Sequence, residues 1–182
     1  MAVLVRHTNL EKAVTLLREH STKIEKWLQD KEIKAKSSKC NHITFTPRKR
    51  KPSNIQLNGT HITQIRQLKY LGFHLDTQLT WKQNTKSIID KIRIKRRQMY
   101  WLTSRNSQLS IENKLKFYET IIKPIWTYGV PLWGTAAMSR INKLESLRSK
   151  ILGTIVNAPW YVRNEDIRKD LKIPMVKEEI GR

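Results

Sequence analysis

The residues able to hold catalytic metals or move protons are few and scattered. The aspartates are Asp30, Asp76, Asp90, Asp166 and Asp170, and no two are adjacent. A two-metal phosphoryl-transfer site needs carboxylates converging on ions roughly 4 Å apart, and no local pattern supplies them. Asp166 and Asp170 share a helix face four residues apart, but among Arg163, Arg168 and Lys169 they read as solvated surface. The five histidines are dispersed. Cys40 and His42 alternate on one face of a strand, which gives at most two ligands and only a weak zinc pattern. A buried thiol and a surface imidazole are the preferred reading there. Neither a glycine-rich phosphate loop nor a G-x-S-x-G elbow occurs.

The chemistry in excess is cationic. Lys and Arg total 36 against 15 Asp and Glu, a formal charge of +21 on 182 residues. Such an excess attracts polyanions. Six Trp and five Tyr argue for a folded chain rather than a basic tail. A basic, aromatic-rich, folded chain favours nucleic acid as the partner. No apolar run is long enough to span a membrane, and lone Cys40 leaves no intrachain disulfide and suggests a reducing compartment. The cations concentrate in two runs, eight of them in residues 31–52 against Glu32 and eight in residues 82–105 against Asp90. Lys and Arg in such runs neutralise phosphates without reading bases. The Trp and Tyr side chains fall mostly on apolar faces and read as core more than as stacking platforms.

The elements that position these runs follow from periodicity. Met1 to Val5 reads as the end of a buried strand. A Thr8–Glu11 capping box opens a helix from about Asn9 to Asp30, with Leu10, Val14, Leu17, Ile24 and Leu28 on one face and Trp27 at its edge. Alternation at Ile33 and Ala35, and at Ile43 and Phe45, predicts short strands. Thr46 to Pro52 is a basic loop that could also serve as an import signal, leaving the compartment open between nucleus and cytoplasm. Asn58-Gly59 predicts a hairpin between Ile55–Leu57 and Thr60–Ile62. Leu68 to Leu75 predicts one strand in which Gly72 permits a bulge or a close backbone approach.

The second half reads as helical. Thr80 and Gln83 form a capping box for a helix from Thr80 to Arg105. Its apolar stripe is Trp81, Ile88, Ile92, Met99 and Leu102, filled out by Thr85 and Lys95. Around the stripe lie Lys82, Lys86, Lys91, Arg93, Lys95, Arg96 and Arg97. Ser110 caps a helix that Pro124 ends or kinks, and Ser139 caps another through Ile141, Leu144, Leu147, Ile151 and Ile155. Residues 158–161 form a turn, Asn164 caps a short helix, and Pro174 to Arg182 reads as a frayed or truncated tail. Composition shifts from mixed to helical near Asp76, with Thr77 to Leu79 as the hinge.

Five stretches carry a resemblance: KSSKCNHITFT, LNG, LKYLGFHLDTQLTW, KLKFYETIIKPIWTYGVPLWGTA and NAPWYVRNEDIRKDL. In this order and spacing the chain closely resembles the reverse transcriptases of non-LTR retrotransposons, in particular the jockey-like elements of insects. The resemblance implies an α+β fold: the C-terminal part of a palm, with a long helix, short antiparallel strands and a primer-grip hairpin, followed by an all-helical thumb. Residues 1–78 would be the palm part, 79–157 the thumb and 158–182 a short helical tail. It implies an RNA-directed DNA polymerase whose catalytic Asp pair and Mg2+ lie upstream of Met1, so this chain alone is expected not to polymerise. Lys39 matches the lysine that assists by protonating pyrophosphate. Tyr70, Leu71 and Gly72 match the primer grip, and Lys91, Arg93, Lys95, Arg96 and Arg97 match the thumb helix that lies along the template–primer duplex. The chain departs from the family pattern at Gln29-Asp30-Lys31-Glu32 and between Ala35 and Ser38. The alternatives are a stand-alone, sequence-nonspecific nucleic-acid-binding protein derived from the element, or a non-functional fragment.

Overall fold

The computed structural model describes residues 2–34, 36, 39–46, 55–57 and 59–181. The chain mixes helix and strand and divides into two compact units, residues 1–72 with 76–79 and residues 73–75 with 80–182.

The first unit opens on extended chain rather than the strand expected for the first five residues. Val3 and Leu4 are exposed, and residues 2–5 lie in no strand. Helix α1 (Leu10–Asp30) starts one residue later than the Thr8 box predicts, because the Asn9 side chain accepts a hydrogen bond from the Glu11 N–H at 2.8 Å. Its stripe of Val14, Leu17, Ile24 and Leu28 is half-buried, no residue of α1 is fully buried, and Trp27 is exposed. Ile33 is exposed and outside any strand. Strand is present at β1 (Asn41–His42), short of the predicted alternation through Ile43 and Phe45. β2 (Ile55–Leu57) and β3 (Thr60–Gln64) pair antiparallel with Leu57 opposite Thr60, leaving a two-residue turn in which Gly59 has φ +68°. That is the positive φ the predicted hairpin requires. β1 joins β3 in parallel, giving the order β1-β3-β2. α1 packs against β2, and Ile55 is buried. The predicted features at Ala35, at Ser37-Ser38, over residues 47–52 and at Asn58 lie outside the described residues.

The strand predicted from Leu68 to Leu75 is two strands. β4 (Gln67–Tyr70) and β5 (Phe73–Asp76) pair across a turn in which Leu71 has φ +46° and Gly72 φ +85°. Two consecutive positive φ values match the twist of a tight hairpin. The apolar run hid the turn because Leu, unlike Asn or Gly, seldom adopts that region.

The second unit holds a contiguous hydrophobic core. It is built on α2 (Lys82–Gln98), α3 (Tyr100–Thr103), α4 (Ile111–Phe117), α5 (Lys123–Thr127), α6 (Val130–Trp133), α7 (Met138–Ile155), α8 (Asn164–Asp170) and α9 (Val176–Ile180). Ser110 caps α4 as predicted, accepting from the Asn113 N–H. A π-helical turn, Tyr118–Ile122, joins α4 to α5. Pro124 has no N–H to bond back one α-turn, and the widened turn upstream lets helix continue through it instead of ending there. Gly129 has φ +60°, and the Phe73 ring fills the space a Cβ would need. The same ring stacks on Tyr128, centroids 5.0 Å apart. In α7 the predicted stripe of Ile141, Leu144, Leu147, Ile151 and Ile155 is buried, although the helix begins before Ser139, from Ala137. α8 begins from Arg163, with no side-chain cap from Asn164. The segment read as a frayed tail is ordered: α9 buries Val176 completely, packs on α7, and Lys123 pairs with Glu179 at 2.9 Å.

Candidate nucleic-acid interface

Helix α2 is placed by the side chains at its start. Trp81, not Thr80, is the N-cap residue, with φ +60° and no side-chain cap. Its indole is buried and donates from Nε1 to the Thr135 hydroxyl at 2.9 Å. Burial of an indole together with a hydrogen bond offsets the cost of a left-handed conformation, of order 1–3 kcal/mol. The Arg140 guanidinium donates to the Thr80 carbonyl at 2.8 Å. The buried face comprises Asn84, Thr85, Ile88, Ile89 and Ile92, and it packs on α5, α7 and the π-turn. Thr85 donates its hydroxyl back to the Trp81 carbonyl, and Asn84 accepts from the His74 N–H at 3.2 Å. Lys95, expected to fill out the stripe, is exposed, while Met99 and Leu102 are half-buried.

The opposite face is cationic. Lys82, Lys86, Arg93 and Arg97 follow one another at spacings of four, seven and four and are all exposed. These spacings put them in one row along roughly 22 Å of helix, at about 1.5 Å rise per residue. Lys91 and Lys95, also exposed, form a second row at the far edge of the solvent face. Asp90 is engaged by Arg93 at 3.4 Å. Arg96 differs from its neighbours: it is half-buried and donates to Thr154 at 3.5 Å, so part of its guanidinium ties α2 to α7.

The helix ends at Met99, and α3 follows at once. Thr103 and Ser104 are buried there, and Lys114, itself buried, donates from Nζ to the Ser104 carbonyl at 2.9 Å. A second buried network lies behind α7. The Glu145 carboxylate accepts from Arg148 and Arg168, each at 3.4 Å, and from the Val176 N–H at 2.7 Å. Arg148 also donates to the Tyr118 hydroxyl at 2.6 Å and to the Pro174 carbonyl, and its guanidinium lies over Trp126, 5.3 Å from the ring centre. Burial pushes the Tyr118 phenol up while Arg148 pulls it back down. Glu145 and Arg148 are an i, i+3 pair readable on one helix, but their burial and the partners Arg168, Tyr118, Pro174 and Val176 come only from packing.

Among the remaining predicted residues, Tyr70, Leu71 and Gly72 form the exposed β4–β5 turn. Lys39 is exposed, and its N–H bonds the Lys36 carbonyl at 2.9 Å. Cys40 is half-buried, with its Sγ 3.5 Å from that same carbonyl, rather than a fully buried thiol. His42 is half-buried rather than on the surface, and burial lowers its pKa. The expectation that Trp and Tyr serve mainly as core fails. Trp81, Trp126, Trp133 and Tyr118 are buried, but Trp27, Tyr70, Tyr100, Trp101, Tyr128, Trp160 and Tyr161 are exposed. They lie at stripe edges, in turns or past a helix end, where apolar identity alone does not report the side a residue faces.

With this geometry, the relatives are informative. The RNA-directed DNA polymerases from the mobile element jockey of Drosophila funebris and of Drosophila melanogaster are each 33% identical to the chain, over 99% and 98% of its length. By sequence, the chain is similar to one segment of these mobile-element RNA-directed DNA polymerases. The probable RNA-directed DNA polymerase from transposon X-element of Drosophila melanogaster is 33% identical over 91% of the chain. The chain spans about one-fifth of the length of these curated relatives. No family model and no solved structure matches it. The Mg2+ implied by such polymerases does not fit the described residues of the chain. Among them no group of three or more His, Cys, Asp or Glu side chains could hold a metal ion. None of their helices is long and apolar enough to cross a membrane.

Proposed function

We propose that this chain is the palm-end and thumb portion of a retrotransposon RNA-directed DNA polymerase and that its task is to hold the template–primer duplex. Residues 1–78 belong to the palm, 79–157 to the thumb and 158–182 to a helical tail. The observation that carries the reading is the cationic face of α2: Lys82, Lys86, Arg93 and Arg97 in one row and Lys91 and Lys95 in another, on a helix whose other face is locked into a core. Cations spaced along a rigid helix contact successive phosphates without reading sequence. The exposed turn at Tyr70, Leu71 and Gly72 meets the primer end, and exposed Lys39 is free to donate a proton to a departing pyrophosphate.

Duplex affinity, RNA–DNA or DNA, is expected to fall steeply with salt. Replacing Arg93, Lys95 and Arg97 together by Gln is expected to reduce the slope of log K against log salt by roughly 2–3, at about 0.9 for each phosphate no longer neutralised. Arg96 is kept in that variant because of its bond to Thr154. Fluorescence anisotropy at several salt concentrations measures this, and an unchanged slope removes α2 as the duplex-binding element.

The described residues supply cations but no metal site, which favours a second reading for the chain by itself: a sequence-nonspecific nucleic-acid binder without polymerase activity. Primer extension with Mg2+ and this chain alone is expected to give no incorporation above background. Nucleotide incorporation would sink that reading.

A further inference from the structure

The cationic row on α2 ends at Arg97, and exposed aromatic residues follow it. Four residues on, after Met99, comes Trp101, which is 71% exposed, beside Tyr100, which is 56% exposed. α2 closes at Met99, whose N–H bonds the Lys95 carbonyl at 3.0 Å and whose φ −100° and ψ 7° depart from helical values, and α3 starts afresh with the Thr103 N–H on the Met99 carbonyl at 3.1 Å. Trp101 therefore lies in the short helix that directly follows the cationic one, with its indole exposed. Two large aromatic rings in water are costly to maintain when an apolar core lies next to them. Their backbone is also held firmly. Buried Thr103 and Ser104 follow directly, and Lys114 clamps the Ser104 carbonyl.

The charge around the rings selects the ligand. From Lys91 to Ile111 the sequence contains no Asp or Glu, while Arg97 precedes the rings and Arg105 follows them, both exposed. The exposed pair Trp160 and Tyr161 is followed by a mixed surface, exposed Glu165, Asp166 and Asp170 among exposed Arg163, Lys169 and Lys172, rather than by cations alone. An aromatic face among cations suits a flat, electron-poor ring carried on an anionic backbone, which is a nucleobase.

We infer that Trp101, flanked by Tyr100, is a stacking platform for an unpaired nucleobase just past the C-terminal end of the phosphate-contacting helix α2. The inference deepens the duplex-holding role and rests on it: paired nucleotides run along the cations, and the first unpaired base lies on the indole. Inside a duplex both faces of each base are already covered, so a platform just past the helix end distinguishes a frayed or single-stranded junction from a blunt end.

The test compares three probes with the full 182-residue chain: a short blunt DNA duplex, the same duplex with a short thymidine overhang, and the single strand alone. Base–aromatic stacking predicts that the overhang raises wild-type affinity by roughly five- to a hundredfold. W101A is expected to abolish that preference while leaving blunt-duplex affinity and its salt slope unchanged, and W101F is expected to keep most of it. Trp101 is exposed, so both variants should melt like the wild type. An overhang preference that survives in W101A, or none in the wild type, overturns the inference. Single-strand binding that is lost in W101A, with the blunt duplex never bound, sinks the duplex reading and leaves the platform standing. Binding to none of the three overturns both.

Discussion

Glu145→Ala is expected to destabilise the helical unit by roughly 3–5 kcal/mol, the cost of leaving buried charges without their partner. The Glu145 side chain is 17% exposed, those of Arg148 and Arg168 are 2% and 9% exposed, and this one carboxylate faces both guanidinium groups. It also accepts the Val176 N–H, the first donor of α9. Removing it leaves two like charges in a medium that screens them poorly and a helix N–H without its acceptor. Glu145→Gln keeps an acceptor for Val176 but loses the charge, and an intermediate loss is expected. Urea titration of wild type and variants measures the difference. A loss below about 1 kcal/mol for Glu145→Ala would show that solvent replaces the carboxylate, as at an exposed ion pair.

Trp126→Ala should cost a similar amount, roughly 3–5 kcal/mol, by a different route. The indole is completely buried, so its removal creates a cavity that helices fixed by α7 can close only in part. It also exposes the underside of Arg148, whose guanidinium lies over the ring. Both substitutions therefore act on Arg148, and their effects should not add. The double variant is expected to fall short of the sum by about 0.5–3 kcal/mol, the usual range for residues sharing a partner. Strict additivity in the same urea titrations would mean that the cation–ring interaction contributes nothing. Against a typical total of about 5–15 kcal/mol, either single change removes a large share of the stability.

These two sites were invisible from the chain alone, and the reason is physical. A stripe such as Ile141, Leu144, Leu147, Ile151 and Ile155 is a local property of helical periodicity, and all five residues are buried. The Leu57–Thr60 hairpin is equally local, because a two-residue turn depends on its own φ values. The burial of Arg148, Arg168 and Lys114 is not local. Arg148 has Glu145 three residues back on its own helix, but its further acceptor at Pro174, and the partners of Arg168 (Glu145, Ser149) and Lys114 (Ser104), lie on other helices or turns. A lysine or arginine in a helical pattern has the same identity whether it faces water or a carboxylate from another element.

Helix starts illustrate the same division. Thr80, Ser139 and Asn164 are good capping residues, yet the helices begin from Trp81, Ala137 and Arg163. At Trp81 a cap worth about 1 kcal/mol loses to the burial of an indole; Ala137 and Arg163 are exposed, and burial does not account for those two starts. At Asn9 and Ser110 no such burial competes, and those side chains cap as their chemistry favours.

By itself the sequence determined the excess of positive charge; the helical stripes and the Asn58-Gly59 hairpin, through local periodicity and turn chemistry; and the resemblance to jockey-like reverse transcriptases, through ordered motifs in a chain 33% identical to those relatives. Only the tertiary structure decided which cations reach solvent. Lys95 came out of the stripe, Arg96 went partly into it, Lys114 and Arg148 disappeared into the core, and Trp101 emerged just past the helix end. Charge is carried by the side chain and is legible wherever it occurs. Exposure is a relation between distant segments and comes into being only when they pack.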